Sequence, residues 1–241
     1  MGLIQLTDRV YCMDFDSATD RPNLGYVRGD KYCLAIDAGN SGSHVAAFYK
    51  LLAESGLRQP DFTAITHYHW DHTFGLHSIS GTSLTGDRTH CKLSQMKDWT
   101  WTLEDMDNRI RQGLDIDFCK QHILKEYASL TDIKVVTGDL VFTDELALDL
   151  GGIHCLLTRV PSPHTDDCIA VLVPEESVLF VGDADCGDLN YSNGDYDKAR
   201  LTAYMTAIEA MDFEHYVTGH AEPTVKAAAL GSLAEILSQI D

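Results

Sequence analysis

Short apolar runs open the chain. Residues 3–13 and 24–36 read as short strands, and Tyr32-Cys33-Leu34-Ala35-Ile36 is the near-continuous apolar run of a strand covered on both faces. It stops at the turn Asp37-Ala38-Gly39-Asn40, after which Ser43 is a suitable N-cap for a helix to about Glu54. Val45, Phe48, Leu51 and Leu52 mark that helix's buried face. Phe62, Ala64 and Ile65 define a strand over 62–66, and one or two helical turns follow from Thr73 to Ile79. Between 90 and 130 the period changes. Met96, Trp99, Leu103, Met106 and Ile110 recur at three and four, the spacing of an amphipathic helix, and a second helix is predicted over 116–128. Strands return at 132–136, 140–148 and 153–160, with Gly151-Gly152 turning between the last two, and then at 168–173 and 177–182. A helix over about 195–211 buries Leu201, Tyr204, Met205 and Ile208. A strand at 215–218 leads to a final helix from about Pro223, at its first position, to Ile240. This order predicts two similar βα halves whose sheets pack face to face with helices outside, an α/β four-layer αββα sandwich with a helical insertion at about 90–130.

Composition narrows the setting. At 241 residues, 44% hydrophobic and 23% charged, the chain is expected to fold as one domain, 1–241, with a full core. No stretch approaches the roughly 18 apolar residues of a membrane span. The start, Met1-Gly2-Leu3-Ile4-Gln5-Leu6-Thr7-Asp8, lacks the basic, apolar pattern of a secretory signal, so a cytoplasmic location is expected. The 7 cysteines agree: an odd number, with no CxxC pair. A net charge of −19 disfavours nucleic acid and anionic membrane, leaving a small molecule as the expected partner. A homo-oligomer is compatible with all of this.

Candidate chemistry concentrates in Thr66-His67-Tyr68-His69-Trp70-Asp71-His72, where the strand at 62–66 ends. In extended backbone, positions two apart project to the same side, so His67 and His69 can aim two nitrogens at one point. Asp71 and His72, past the turn, can aim an oxygen and a nitrogen at a second point nearby. A divalent cation such as zinc takes such ligands at about 2.0–2.2 Å. A coincidental cluster would carry desolvation and repulsion with nothing to compensate them, so the stretch reads as a metal site. Three more ligand-type residues stand at strand ends: His164, Asp183 after Val178-Leu179-Phe180-Val181-Gly182, and His220 after Tyr216-Val217-Thr218-Gly219. Each alone is a weak signal.

Together, HxHxDH at 67–72 followed by His164, Asp183 and His220 resembles the metallo-β-lactamase-fold hydrolase superfamily, as does Asp37 in Ile-Asp-Ala-Gly. The resemblance runs from about residue 10 to 225. It implies the αββα sandwich with a dinuclear site on one edge. His67, His69 and His164 would hold one metal, Asp71, His72 and His220 the second, and Asp183 would bridge them; Asp37 would support the site from behind. Such a partition gives each cation about three protein ligands and an open position for water, a catalytic arrangement. Two cations about 3.5–4 Å apart bring the pKa of a bridging water towards neutrality, with Asp71 and Asp183 as the catalytic carboxylates that hold the resulting hydroxide and one of them as acceptor of the water's proton.

The sequence also departs from the family. The common His-Thr-Pro-Gly-Ser is here His164-Thr165-Asp166-Asp167-Cys168. Asp166 and Asp167 either repel anionic substrates or make a turn with Asx-type hydrogen bonds. Cys168 reads as core and Cys186 as a buried bystander. Tyr191 is a candidate donor to a developing oxyanion, with a surface turn as the simpler reading. The 90–130 insertion is placed to wall or lid the cleft, with Trp101, off the helical stripe, as the lid candidate; plain core packing is the simpler reading of the stripe.

The expected function is hydrolysis of a small ester, thioester, lactone or amide with two divalent ions, zinc first and iron or manganese as alternatives. True β-lactam resistance is disfavoured by the expected cytoplasmic location. Hydroxyacylglutathione hydrolysis is disfavoured by the short stretch after His220 and nuclease activity by the acidity, while phosphodiesterase activity stays open as an alternative. An iron-dependent redox enzyme of the persulfide dioxygenase type is the alternative, although His69 stands where diiron reductases of the superfamily usually carry glutamate.

Overall fold

Alternation along the strands sorts the side chains into layers. The computed structural model describes residues 1–189 and 194–240. The first half runs β1 (Leu3–Gln5), β2 (Val10–Met13), β3 (Leu24–Arg28), β4 (Cys33–Ile36), α1 (Gly42–Glu54), β5 (Phe62–Ala64), α2 (Trp70–Thr73), β6 (Thr82–Gly86), α3 (Asp87–Met96), α4 (Leu103–Arg111), α5 (Asp117–Glu126) and β7 (Leu140–Phe142). The second runs β8 (Glu145–Asp149), β9 (His154–Arg159), β10 (Ile169–Val173), β11 (Val178–Gly182), α6 (Lys198–Glu209), β12 (His215–Thr218), β13 (Thr224–Val225) and α7 (Lys226–Ser238). The seven strands of the first half form one sheet in sequence order; the other six form a second, in the order β13-β12-β11-β10-β9-β8.

Odd and even positions divide cleanly. On β4, Leu34 and Ile36 face the second sheet, where Leu157, Val171 and Phe180 meet them, while Cys33 and Ala35 face Phe48 and Leu52 of α1. On β11, Val178 and Phe180 join the inter-sheet core, and Leu179 and Val181 pack on Leu201, Tyr204 and Ile208 of α6 and Leu233 of α7. With period-2 strands buried on both faces and helices outside, the result is the predicted αββα sandwich. Strands β4, β5, β6 and β7 pair parallel, as do β11 and β12, so Asp37, His67, Asp183 and His220 all emerge from the carboxyl ends of parallel strands. Loops at those ends are where layered α/β folds place ligands.

Four expectations change. The strand expected over 140–148 is two, β7 in the first sheet and β8 in the second. Asp144, with φ 61°, redirects the chain between them, and Arg159 fixes it by donating from Nε to Oδ1 at 2.8 Å. No strand forms at 132–136; a 3₁₀ turn at Leu130–Asp132 precedes irregular chain whose Ile133, Val135 and Val136 pack into the cluster that joins the insertion to Ile65, Trp70 and Phe74. The stripe from Met96 to Ile110 spans a break rather than one helix, because Thr102 caps a new start by accepting from the Asp105 amide, and Leu103 is exposed. Helix limits shift as well. Ser41, not Ser43, caps α1, accepting from the His44 amide at 3.0 Å, and α7 begins at Lys226 rather than at Pro223.

Candidate metal centre

Strand β5 ends at Ala64, and the next turn delivers the HxHxDH residues into a space between the sheets' carboxyl edges. Ile169 ties that turn to the second sheet, its amide donating to the Thr66 carbonyl at 2.7 Å. His69 precedes α2, which carries Asp71 and His72 in its single turn. From the other half, His164 is placed by Ser162, whose hydroxyl accepts from the His164 amide (2.9 Å) and donates to the Ala184 carbonyl (2.8 Å). His220 is placed by Asn23, whose amide side chain donates to the carbonyls of Thr218 (2.8 Å) and Ala221 (2.7 Å). Two glycines let the halves meet. A Cβ on Gly182 (φ 55°) would lie 2.3 Å from Thr66 Oγ1, and one on Gly219 would lie 3.0 Å from His72 Cε1 and 2.1 Å from Asp183 Oδ1.

All seven predicted ligands converge, in two groups: His67, His69 and His164, and Asp71, His72, Asp183 and His220. Within each, the ligand atoms lie within 4.8 Å of one another. In the first group His69 Nδ1 is 3.1 Å from His67 Nε2 and 2.9 Å from His164 Nε2. In the second, Asp71 Oδ2 is 3.0 Å from Nε2 of both His72 and His220. Asp183 reaches both groups, standing 3.4 Å from His72, 3.5 Å from His220 and 3.9 Å from His164.

Groups behind the ligands fix their tautomers. His72 Nδ1 donates to Asp37 Oδ2 at 2.7 Å, which turns Nε2 towards the second group; His164 Nδ1 donates to the Gly187 carbonyl at 3.0 Å, which does the same for the first. Asp37, held in a left-handed conformation (φ 65°), also accepts from the amide and hydroxyl of Thr66. Asp37 thus stands behind His72, on the side away from the second group. His72 Nε2 and Asp183 Oδ1 are buried without a hydrogen-bond partner, a costly state that a cation between them would relieve. Imidazole nitrogens and carboxylate oxygens in this number suit a divalent ion, and the donor set fits.

The electrostatics of the groups differ. Burial, then the neighbouring imidazoles, pushes His67 well below the usual histidine range and His69 down to about 3, so both are neutral donors. In the second group burial opposes charge, but opposite charges outweigh it. Asp71 and Asp183 stay well below the carboxylate range beside His72 and His220, and those two histidines are held well above theirs by Asp71 and Asp183, with Asp37 adding to His72.

A cavity of about 450 Å³ opens over both groups, lined among others by Phe15, Asp20, Ile116, Phe118, Cys119, His122, Cys186 and Leu189. The insertion does wall it, through the start of α5. Trp101 does not line it; that ring packs on Phe74 (centroids 5.1 Å) and Arg109 instead. Asp166 lies outside the cavity, exposed and 3.7 Å from Arg88, while Asp167 is buried and accepts from Thr165 (2.6 Å) and Thr89 (2.8 Å), a turn-holding role. Cys168 is core, but Cys186 lines the cleft. Tyr191 falls outside the described residues. Asp20 escaped the sequence reading. It sits in a loop with φ 56°, its Oδ1 3.8 Å from His220 Nδ1, and burial, then Asp71, pushes it up to about 7. Asp185, pushed up to about 6 by burial and then Asp183, accepts from Tyr216 at 3.1 Å behind the bridging position. No sequence periodicity marks either of them.

Comparison with known proteins agrees with the geometry. The family model described as the metallo-beta-lactamase superfamily matches residues 19–220. Among solved structures, a metallo-beta-lactamase from Pontibacter korlensis is 14% identical with a TM-score of 0.68, covering 99% of each chain. A metallo-beta-lactamase family protein from Thermus thermophilus is 16% identical (TM-score 0.67), over 97% of this chain and 80% of that one. A stereoselective inverting sec-alkylsulfatase from Pseudomonas sp. is 14% identical (TM-score 0.70), over 98% of this chain but 41% of the larger enzyme. A search of curated protein sequences finds no match. Two ligand groups at the carboxyl edges of an αββα sandwich, and a family match that spans them, place the chain in the metallo-beta-lactamase superfamily.

Proposed function

We propose that the protein is a hydrolase that uses two divalent cations, zinc in the first instance, to cleave a small ester, thioester, lactone or amide. One observation carries this reading: both ligand groups meet on the floor of a single cavity, with His72 Nε2 and Asp183 Oδ1 buried 3.4 Å apart and neither satisfied by a hydrogen bond. When bound, the cations supply a water of lowered pKa and polarise the oxygen of the scissile group.

The remaining work falls to the chain. Asp183 spans the two groups, so its carboxylate orients an attacking water by accepting a hydrogen bond from it. Asp71, sharing the cavity floor, is the second acceptor for the proton released. Asp37 and the Gly187 carbonyl hold His72 and His164 in the tautomers that leave Nε2 free. Ile116 and Phe118 give the floor an apolar wall, which strengthens the electrostatic interactions beneath it.

The test is metal analysis of protein purified without added metal, followed by a panel of esters, thioesters, lactones, β-lactams, phosphodiesters and, given the alkylsulfatase relative, sec-alkyl sulfates. Two equivalents of zinc and turnover of a carboxylic acid derivative are expected, with turnover lost in His69→Ala. Iron with oxygen consumption would replace the hydrolase by the redox alternative, and phosphodiester turnover alone would replace the substrate class. Undiminished rates in both His69→Ala and Asp183→Ala would remove the assignment.

A further inference from the structure

The cavity over the ligand groups has an unusual charge inventory. Among the described residues that line it there is no lysine or arginine. Nearby cations are engaged elsewhere. Arg21 forks onto the buried Glu126 at 2.6 and 3.1 Å, Lys120 pairs with Asp107, and Lys125 Nζ contacts His122 Nε2 at 3.2 Å. The ionisable group the cavity does present beyond its ligands, apart from His122 and two thiols, is Asp20, whose side chain is 13% exposed. Phe15, Ile116, Phe118 and Leu189 line the same cavity.

An anionic group on the body of a substrate would lose its water against this wall and gain no counter-charge from it, beside a carboxylate of its own sign. Only the reacting group, at the metals, is offered positive charge. We propose that the cavity selects molecules with an uncharged, apolar body and rejects those that carry a carboxylate or phosphate away from the reacting group, with Asp20 as the specificity-determining residue. Calling these molecules substrates rests on the hydrolase reading; the binding preference does not.

The preference can therefore be tested by binding alone. Protein loaded with cobalt(II) is titrated at mildly alkaline pH with three thiols of equal chain length: an alkanethiol, an ω-mercaptoalkanoate and an ω-aminoalkanethiol. The sulfur anchors each at the metal, and the visible cobalt bands report occupancy. The alkanethiol is expected to bind about 10-fold more tightly than the mercaptoalkanoate, and the aminothiol to escape that penalty. Asp20→Asn, compared with the wild type at equal cobalt occupancy because Asp20 lies 3.8 Å from His220, should narrow the gap to about threefold. Phe118→Lys, at a half-exposed wall position that tolerates change, should favour the mercaptoalkanoate specifically, and it keeps the test sound should Asp20→Asn fold poorly. Equal affinities for neutral and anionic thiols in the wild type, or a gap that neither variant moves, would overturn the proposal. A protein that discriminates among thiols but hydrolyses nothing would sink the hydrolase reading and leave this one standing.

Discussion

His67, His69 and His164 converge nitrogen to nitrogen, whereas His72 and His220 face the oxygens of Asp71 and Asp183 at 3.0 to 3.5 Å. In the first group, burial among like side chains drives protons off and leaves lone pairs ready. In the second, two buried carboxylates hold their charge, and the protons on the adjacent imidazoles balance it. A cation entering the first group meets no competitor for the nitrogens, while one entering the second must displace protons. Two residue groups a few ångströms apart thus differ in charge because of two aspartates.

Asp183 is where that contrast is easiest to break, since it touches both groups. Asp183→Ala should abolish turnover, a loss beyond the roughly 10²–10³-fold cost of deleting one transition-state hydrogen bond, and should lower metal content towards one equivalent. Near-normal kcat in this variant would end the comparison. Next in size is the effect of pH on metal affinity. His72 and His220 are raised, so they carry protons near neutrality that metal must expel, and affinity at the second group should fall by up to about 100-fold per unit of acidification. His67 and His69 are lowered, so the first group should hardly respond over the same interval. Isothermal titration in buffers of different ionisation enthalpy counts the protons released at each step. Equal proton counts at the two steps would contradict the contrast.

Asp37→Asn sharpens it further. The carboxylate touches His72 alone among the ligands through a 2.7 Å bond, so the second group should weaken by about 10–100-fold while the first holds. Weakening of both, measured by chelator competition, would show that the groups are not independent. The smallest change is expected of Thr66→Val. Its hydroxyl lies 3.2 Å from His67 Nδ1 and 2.9 Å from Asp37 Oδ2, so it should perturb both affinities a few-fold together and cost about 1 kcal/mol in denaturant unfolding.

How much of this was legible in the chain follows from locality. His67, His69, Asp71 and His72 share one strand end, and their spacing alone implies two points of convergence. His164, Asp183 and His220 stand at the ends of apolar runs, a pattern any strand reader meets. The sandwich was readable from alternation. Asp20 was not, because its place beside His220 is set by a loop conformation and by contacts some 200 positions away in sequence. The division of 140–148 between sheets escaped for a related reason: a single left-handed aspartate redirects the backbone without interrupting the apolar pattern. In the insertion, the spacing of Met96, Leu103 and Met106 continued by coincidence across a break that only the Thr102 cap reveals.

Each ligand group draws on both halves of the chain. His67 and His69 come from before the crossing at Thr143-Asp144 and His164 from after it; Asp71 and His72 likewise come from before it, Asp183 and His220 from after. Any ion held there is a rivet through two plates that the backbone joins by a two-residue hinge. Saturating either position at a hundredfold over its Kd would add about 2.7 kcal/mol to the cohesion of the plates. Loading the protein and clamping its architecture are then a single event, and chelation should show first as a lowered melting temperature with both sheets still formed.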